Sequence, residues 1–189
     1  MKKKKSGRWQ TVLTIVCICF FIGIIIGAFS SVQISTEQAE RLSTYIENTS
    51  SDMGFIETFW KHAKYITAIW LSGFIYSGVF TVLIIMFVLG LFYGFTSGFA
   101  ISEMGLIHVL GYIFPHNIIL IPLYIFASVW SVEYVLKKFS NNGPKSRIKR
   151  ERNKRLTEHM IILGACMGVN VIVWVFEIFV SGNILGFIK

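Results

Sequence analysis

Four side chains of this sequence combine acid–base or ligand chemistry with an apolar address: Glu103, His108, His116 and Glu177 lie in or beside long hydrophobic runs. An ionisable group inside a membrane segment is expensive, so each marks an ion path, a metal site or a partner contact unless a neighbour explains it. Glu133 has such a neighbour, because Lys137 follows one helical turn later, at the spacing of an intrahelical ion pair. Glu177 has no base near it in sequence, Glu103 sits where an apolar segment ends, and His108 and His116 straddle Pro115. Together the four could be imagined around a metal, but there is no HExxH motif and no zinc spacing. Cys17 and Cys19 stand two apart within one apolar run, on different helix faces, and Cys166 stands alone, which suits small buried hydrophobes better than ligands. GxxxxGK[ST], GxSxG and GxGxxG are all absent, and no Ser/His/Asp set stands out. The expectation is a protein that is not an enzyme, with no catalytic residue, no cofactor and no metal.

The elements that must position these residues follow from composition. Of 189 residues 54% are hydrophobic and 15% charged, with a mean hydropathy of +0.64; soluble domains carry about 25% charge. Residues 66–102 contain no Asp, Glu, Lys or Arg, and neither do residues 104–132. These stretches identify a multi-pass integral membrane protein with no room for a separate soluble catalytic domain.

The charge of +8 is segregated. Lys2, Lys3, Lys4, Lys5 and Arg8 precede the first apolar run, and nine bases against the single acid Glu151 fill 137–155. Residues 31–64 hold five acids against three bases. The positive-inside rule puts the first two regions in the cytoplasm and the third outside. Juxtamembrane bases set topology and touch anionic lipid, so the partners expected are membrane lipid and other membrane proteins, with no nucleic acid. The apolar run 12–29 is longer than a cleaved signal's core and reads as a retained anchor.

The fold class expected is an all-α membrane protein of about five transmembrane helices plus one re-entrant or interfacial half-helix, N-terminus inside and C-terminus outside. The boundaries are a basic cytoplasmic tail 1–11, span 1 at 12–30, an external loop 31–61 with a short helix capped by Thr36, span 2 at 62–80 and span 3 at 81–102. A half-helix at 104–114 follows, then span 4 at 118–136, a basic cytoplasmic loop 137–157, span 5 at 160–180 and an external tail 181–189. Residues 66–102 would measure about 55 Å as one helix against about 30 Å of hydrocarbon, so they must fold into two, with the turn placed near Gly78. Pro115 removes a donor and disfavours helix before it, hence the break there. Gly90, Gly94 and Gly98 recur every four residues on one face of span 3, the small-xxx-small pattern of closely packed membrane helices.

HAKYI (62–66), Trp70, GFTSGF (94–99), EMG (103–105) and FPHNIILIP (114–122), with GIIIGAF (23–29) and Glu177, resemble the stage II sporulation protein M (SpoIIM) family over most of the chain. The resemblance implies a membrane scaffold that recruits or anchors peptidoglycan-degrading partners, SpoIID- and SpoIIP-like hydrolases, for septal thinning and engulfment during sporulation. The wider superfamily also includes small basic members associated with circular bacteriocins, which implies an alternative: an accessory subunit for maturation, secretion or immunity beside an ABC transporter. Many of those relatives carry PHGxxE, and here Pro115 and His116 fit while Asn117 and Leu120 replace the Gly and Glu. The candidate structural or partner-contact residues are therefore Gly90, Gly94, Gly98, Glu103, Pro115, His116, Asn117, Pro122 and Glu177, and a second copy of the chain is a further candidate partner.

Overall fold

A computed structural model describes residues 3–35, 37, 38, 40–42, 44, 55–104, 114–139 and 145–187. Five long helices account for nearly all of them: α1 Lys3–Val32, α2 Phe55–Ser72, α3 Gly78–Met104, α4 Phe114–Phe139 and α5 Lys145–Phe187. There is no strand among the described residues. Between α1 and α2, Glu37, Gln38, Glu40, Arg41, Leu42 and Thr44 are helical, and Arg41 Nη2 meets Glu37 Oε1 at 2.9 Å across one turn. The short helix expected there is thus present at these positions, while its expected cap, Thr36, lies outside the described residues.

Among the described residues four stretches are long and apolar enough to cross a membrane: Gly7–Val32, Gly78–Ser102, Asn117–Lys138 and Asn153–Val175. Their outward faces are apolar, with Phe21, Ile25, Phe29, Phe80, Ile84, Phe92, Ile161 and Ile172 all exposed on the bundle surface, as lipid contact demands. The fifth helix, α2, has 18 residues, about 27 Å at 1.5 Å per residue, and carries Glu57, Lys61 and Lys64 within its first ten residues.

Interhelical contacts set the directions. Gly23 of α1 lies against Phe87 and Leu91 of α3, and Gly27 lies against Leu91 and Phe95, so these two helices run parallel. Along α2 and α4, Tyr65 meets Tyr124 and Ser131 meets Ile69, again in parallel. Helix α5 opposes both, since Trp174 packs on Phe59 whereas His159 packs on Trp70 and Tyr134. Arg8 on Glu133 and Gly78 beside Val135 bring the start of α1, the α2–α3 turn and the end of α4 to one end, which the Arg155 contact to Lys137 shares with the beginning of the apolar part of α5.

Several expected boundaries shift. The α2–α3 turn occupies 73–77, just before the expected Gly78, because Ile75 O accepts from Gly78 N at 3.1 Å and starts α3 at Gly78, where a β-carbon would strike the Ser72 carbonyl. The helix at the place of span 2 runs Phe55–Ser72, where 62–80 was expected. The apolar stretch of the fourth span starts at Asn117, next to the expected 118, but Pro115 does not break the helix before it: it is the second residue of α4, a position whose N–H needs no partner. Within the basic stretch expected as a loop, 137–157, the described residues 137–139 and 145–157 are helical, the latter extending α5 beyond its apolar part, and helix also continues to Phe187 through the expected tail. The half-helix at 104–114 falls mostly on 105–113, outside the described residues.

Candidate functional site

Two interhelical locks hold this bundle. The first is a close-packed seam between α1 and α3, by far the most extensive helix pair among the described residues. A β-carbon on Gly23 would strike the Phe87 carbonyl and come within 2.9 Å of Leu91 N. On Gly27 it would strike the Leu91 carbonyl and come within 2.8 Å of Phe95 N. From the other side, Gly90 faces the Phe20 carbonyl, Gly94 the Ile24 carbonyl and Gly98 the Ser31 hydroxyl, all closer than a real β-carbon could stand. Backbone meets backbone over three turns, where dispersion acts across many atoms at once. The stripe Gly90, Gly94, Gly98 thus packs inside the fold, and its complement is Gly23 and Gly27 of GIIIGAF, whose four-residue spacing was legible but not read as packing.

The second lock is polar and closes the end at which α1 starts. Glu133, with only 6% of its side chain exposed, receives Arg8 Nε at 3.0 Å and Arg8 Nη2 at 3.2 Å, a forked contact between α1 and α4. Lys137 Nζ reaches its other face at 2.7 Å, the i,i+4 pair expected from sequence. One buried carboxylate between two cations has both oxygens engaged, the condition under which a desolvated charge is tolerated. Trp9 packs edge-on against Trp130 and tilted against Phe126, and Lys137 Nζ lies 5.8 Å from the Trp130 ring centre, so the ion pair is roofed by aromatics. Arg8 and Trp9 were missed as site residues. In sequence Arg8 is one more base in a basic tail, and its partner lies 125 positions away.

Beside this lock His159 is wedged into an aromatic box. Its ring stacks on Tyr134 at 4.3 Å between centres and on Trp70 at 5.5 Å, with Phe74 edge-on at 5.7 Å. Trp70 Nε1 donates to the His159 carbonyl at 3.2 Å, and His159 Nε2 lies 3.3 Å from the Trp70 carbonyl, a reciprocal pair joining α2 to α5. Ser131 Oγ donates to the Ile69 carbonyl at 2.9 Å, tying α4 to α2. Two further bases reach carbonyls near helix ends: Lys138 Nζ donates to Phe74 O in the α2–α3 turn at 3.0 Å and Arg155 Nη1 to Lys137 O in the last turn of α4 at 2.7 Å. Gly73 is needed here because a β-carbon would sit 2.8 Å from His159 Nε2. His159 also went unread: RLTEHM looks like the end of a solvated basic run, and its aromatic partners come from two other helices.

The other expected site residues fall elsewhere. Glu103, Pro115, His116 and Glu177 are helical, but their side chains, like His108 altogether, lie outside the described residues. Asn117 is buried near the opposite end, and its Oδ1 accepts no hydrogen bond among the described residues. Pro122 sits inside α4 without ending it and is exposed on the bundle surface. The described contacts therefore bring the three glycines of α3 into one feature and leave Asn117 and Pro122 apart from it.

The family model SpoIIM, stage II sporulation protein M, matches residues 16–188, and the chain belongs to that family. No curated protein and no solved structure matches it.

Proposed function

We propose that this family member is a non-enzymatic membrane scaffold that recruits or anchors SpoIID- and SpoIIP-like peptidoglycan-degrading partners for septal thinning and engulfment. In this reading all five helices cross the bilayer, with the basic end in the cytoplasm and the end of α5 outside. Two observations support the crossings. Because α1 and α3 run parallel, α2 must return the chain between them. Arg8, Lys137, Lys138 and Arg155 share one end of the bundle, as positive-inside sorting requires.

The observation that carries the scaffold reading is how the interior's strongest interactions are used. Glu133, Arg8, Lys137 and Arg155 bind helix to helix, and five glycines press α1 onto α3. Such a bundle presents fixed outer surfaces, which is what an anchor for other proteins needs. The test is deletion of the gene in its sporulating host, with the hydrolases carrying fluorescent tags. The proposal expects the hydrolases to disperse from the septum and engulfment to stop. Hydrolases still focused at the septum with normal engulfment would overturn it, and loss of bacteriocin export or immunity instead would favour the accessory-subunit alternative.

A further inference from the structure

Lys64, midway along α2, is exposed on the surface of the bundle. The same face presents Trp60 and Leu71, 60% and 50% exposed, since offsets of four and seven residues return to one side of a helix. The result is an apolar outer stripe with one cation in it. The Lys64 ammonium lies 5.1 Å from the Tyr65 ring centre, and among the described residues it makes no ion pair.

Its depth follows from the helices beside it. Tyr65 meets Tyr124 and Ile69 meets Ser131, so Lys64 is level with about residue 124 of α4. The Phe59–Trp174 and Trp70–His159 contacts put it level with about residue 167 of α5. The apolar stretches of these helices end, away from the basic end, at Asn117 and Val175. At a helical rise of about 1.5 Å per residue Lys64 lies about 10–12 Å inside those limits and about 18–20 Å from Lys137 and Arg155. A lysine stem extends about 6 Å, too short to carry the charge to either surface.

We propose that this face of α2 docks a membrane-spanning helix of another protein, one carrying an Asp or Glu at the depth of Lys64, in the half of the bilayer remote from the basic end. A charge at that depth is tolerated where an opposite charge meets it. A second copy of this chain does not supply one, because copies inserted alike meet at equal depth. The acids of the five helices, Glu57, Glu103, Glu133, Glu151, Glu158 and Glu177, all stand at least seven residues, about 10 Å of helix rise, from the level of Lys64. A lipid phosphate sits at the surface, beyond the stem's reach. Trp60 and Leu71 give the incoming helix apolar contact on either side of the ion pair. The proposal rests on the reading that α2 crosses the bilayer, and it adds to the scaffold reading a chemical requirement on the partner.

The test uses the full chain in phosphatidylcholine vesicles with two single-span polyleucine peptides, one carrying Glu and the other Gln about 10 Å from one end of the span, the depth of Lys64. Energy transfer between labelled protein and labelled peptide reads association. The Glu peptide should bind the wild-type chain about tenfold more tightly than the Gln peptide, the scale of a polar contact between membrane helices. Lys64→Gln should abolish the preference. Equal binding of the two peptides to the wild-type chain would overturn the docking, and a preference that survives Lys64→Gln would remove Lys64 from it. Exchanging part of the lipid for phosphatidylglycerol should leave the preference in place; its loss would show that a lipid phosphate takes Lys64, and would overturn the proposal. A spin label at Lys64→Cys, in a chain with Cys17, Cys19 and Cys166 replaced by serine, reads the crossing separately. Shielding from an aqueous relaxant without a Glu preference would overturn the docking alone, whereas access to the relaxant would overturn the crossing of α2 as well.

Discussion

The two halves of this bundle solve the same problem with opposite chemistry. Between α1 and α3 the chain removes side chains, so that carbonyls of one helix rest on glycines of the other. Among α2, α4 and α5 it inserts large and polar ones: Trp70, Tyr134 and His159 stacked as a wedge, with Ser131 and Trp70 donating across helices. Inside a bilayer there is no hydrophobic gain from pressing one apolar helix on another, so association must come from close packing or from hydrogen bonds. Close packing is unforgiving of added volume, and hydrogen bonds are unforgiving of lost partners. The halves should therefore fail under different substitutions.

The largest effect is expected at the glycine seam. Gly94→Leu drives a side chain into the Ile24 carbonyl, and neither backbone can yield alone. The cost should reach or pass the upper end of the about 1–3 kcal/mol typical of overpacking. Val88→Leu, on an exposed position of the same helix, should be nearly silent. Yield of monodisperse protein and thermal midpoint read the difference; equal values for the two variants would remove the seam from the account.

A middle-sized effect belongs to the ion pair that joins the halves. Glu133→Gln leaves Arg8 and Lys137 without their carboxylate. Loss of one partner of a fully buried pair costs about 3–5 kcal/mol, and the partial exposure of Arg8 brings the expectation down to about 1–3 kcal/mol. Arg8→Met should cost less, and the double variant should cost less than the sum, as for groups in direct contact. Strict additivity in a denaturant titration would mean the pair contributes nothing. The smallest effect is Trp70→Phe, which keeps the ring stack but deletes the donor to the His159 carbonyl, for about 1 kcal/mol. A loss as large as that of Gly94→Leu would show the polar half to be as volume-limited as the glycine half.

Legibility from sequence follows the range of each interaction. Charge segregation marks the ends of the bundle because it is a property of composition along the chain. The Glu133–Lys137 pair and the stripe Gly90, Gly94, Gly98 are legible because their spacing of four is a helical period. What these residues touch across space has no periodic signature. Arg8 finds Glu133 and Trp70 finds His159 at separations of 125 and 89 residues. Local grammar also misled where two readings compete: Pro115 stops a helix from within but begins one equally well, and α4 uses it to begin.

The central claim is the alternation of five helices between one basic end and its opposite. The most direct measurement is labelling of single cysteines, Asn142→Cys and Asn183→Cys, each in a background with Cys17, Cys19 and Cys166 replaced by serine, using a membrane-impermeant maleimide on intact cells stripped of their wall. The account predicts that Asn183→Cys reacts at once and Asn142→Cys only after the membrane is permeabilised. Labelling of both positions before permeabilisation, or of neither, would place the two on one side of the membrane and contradict it.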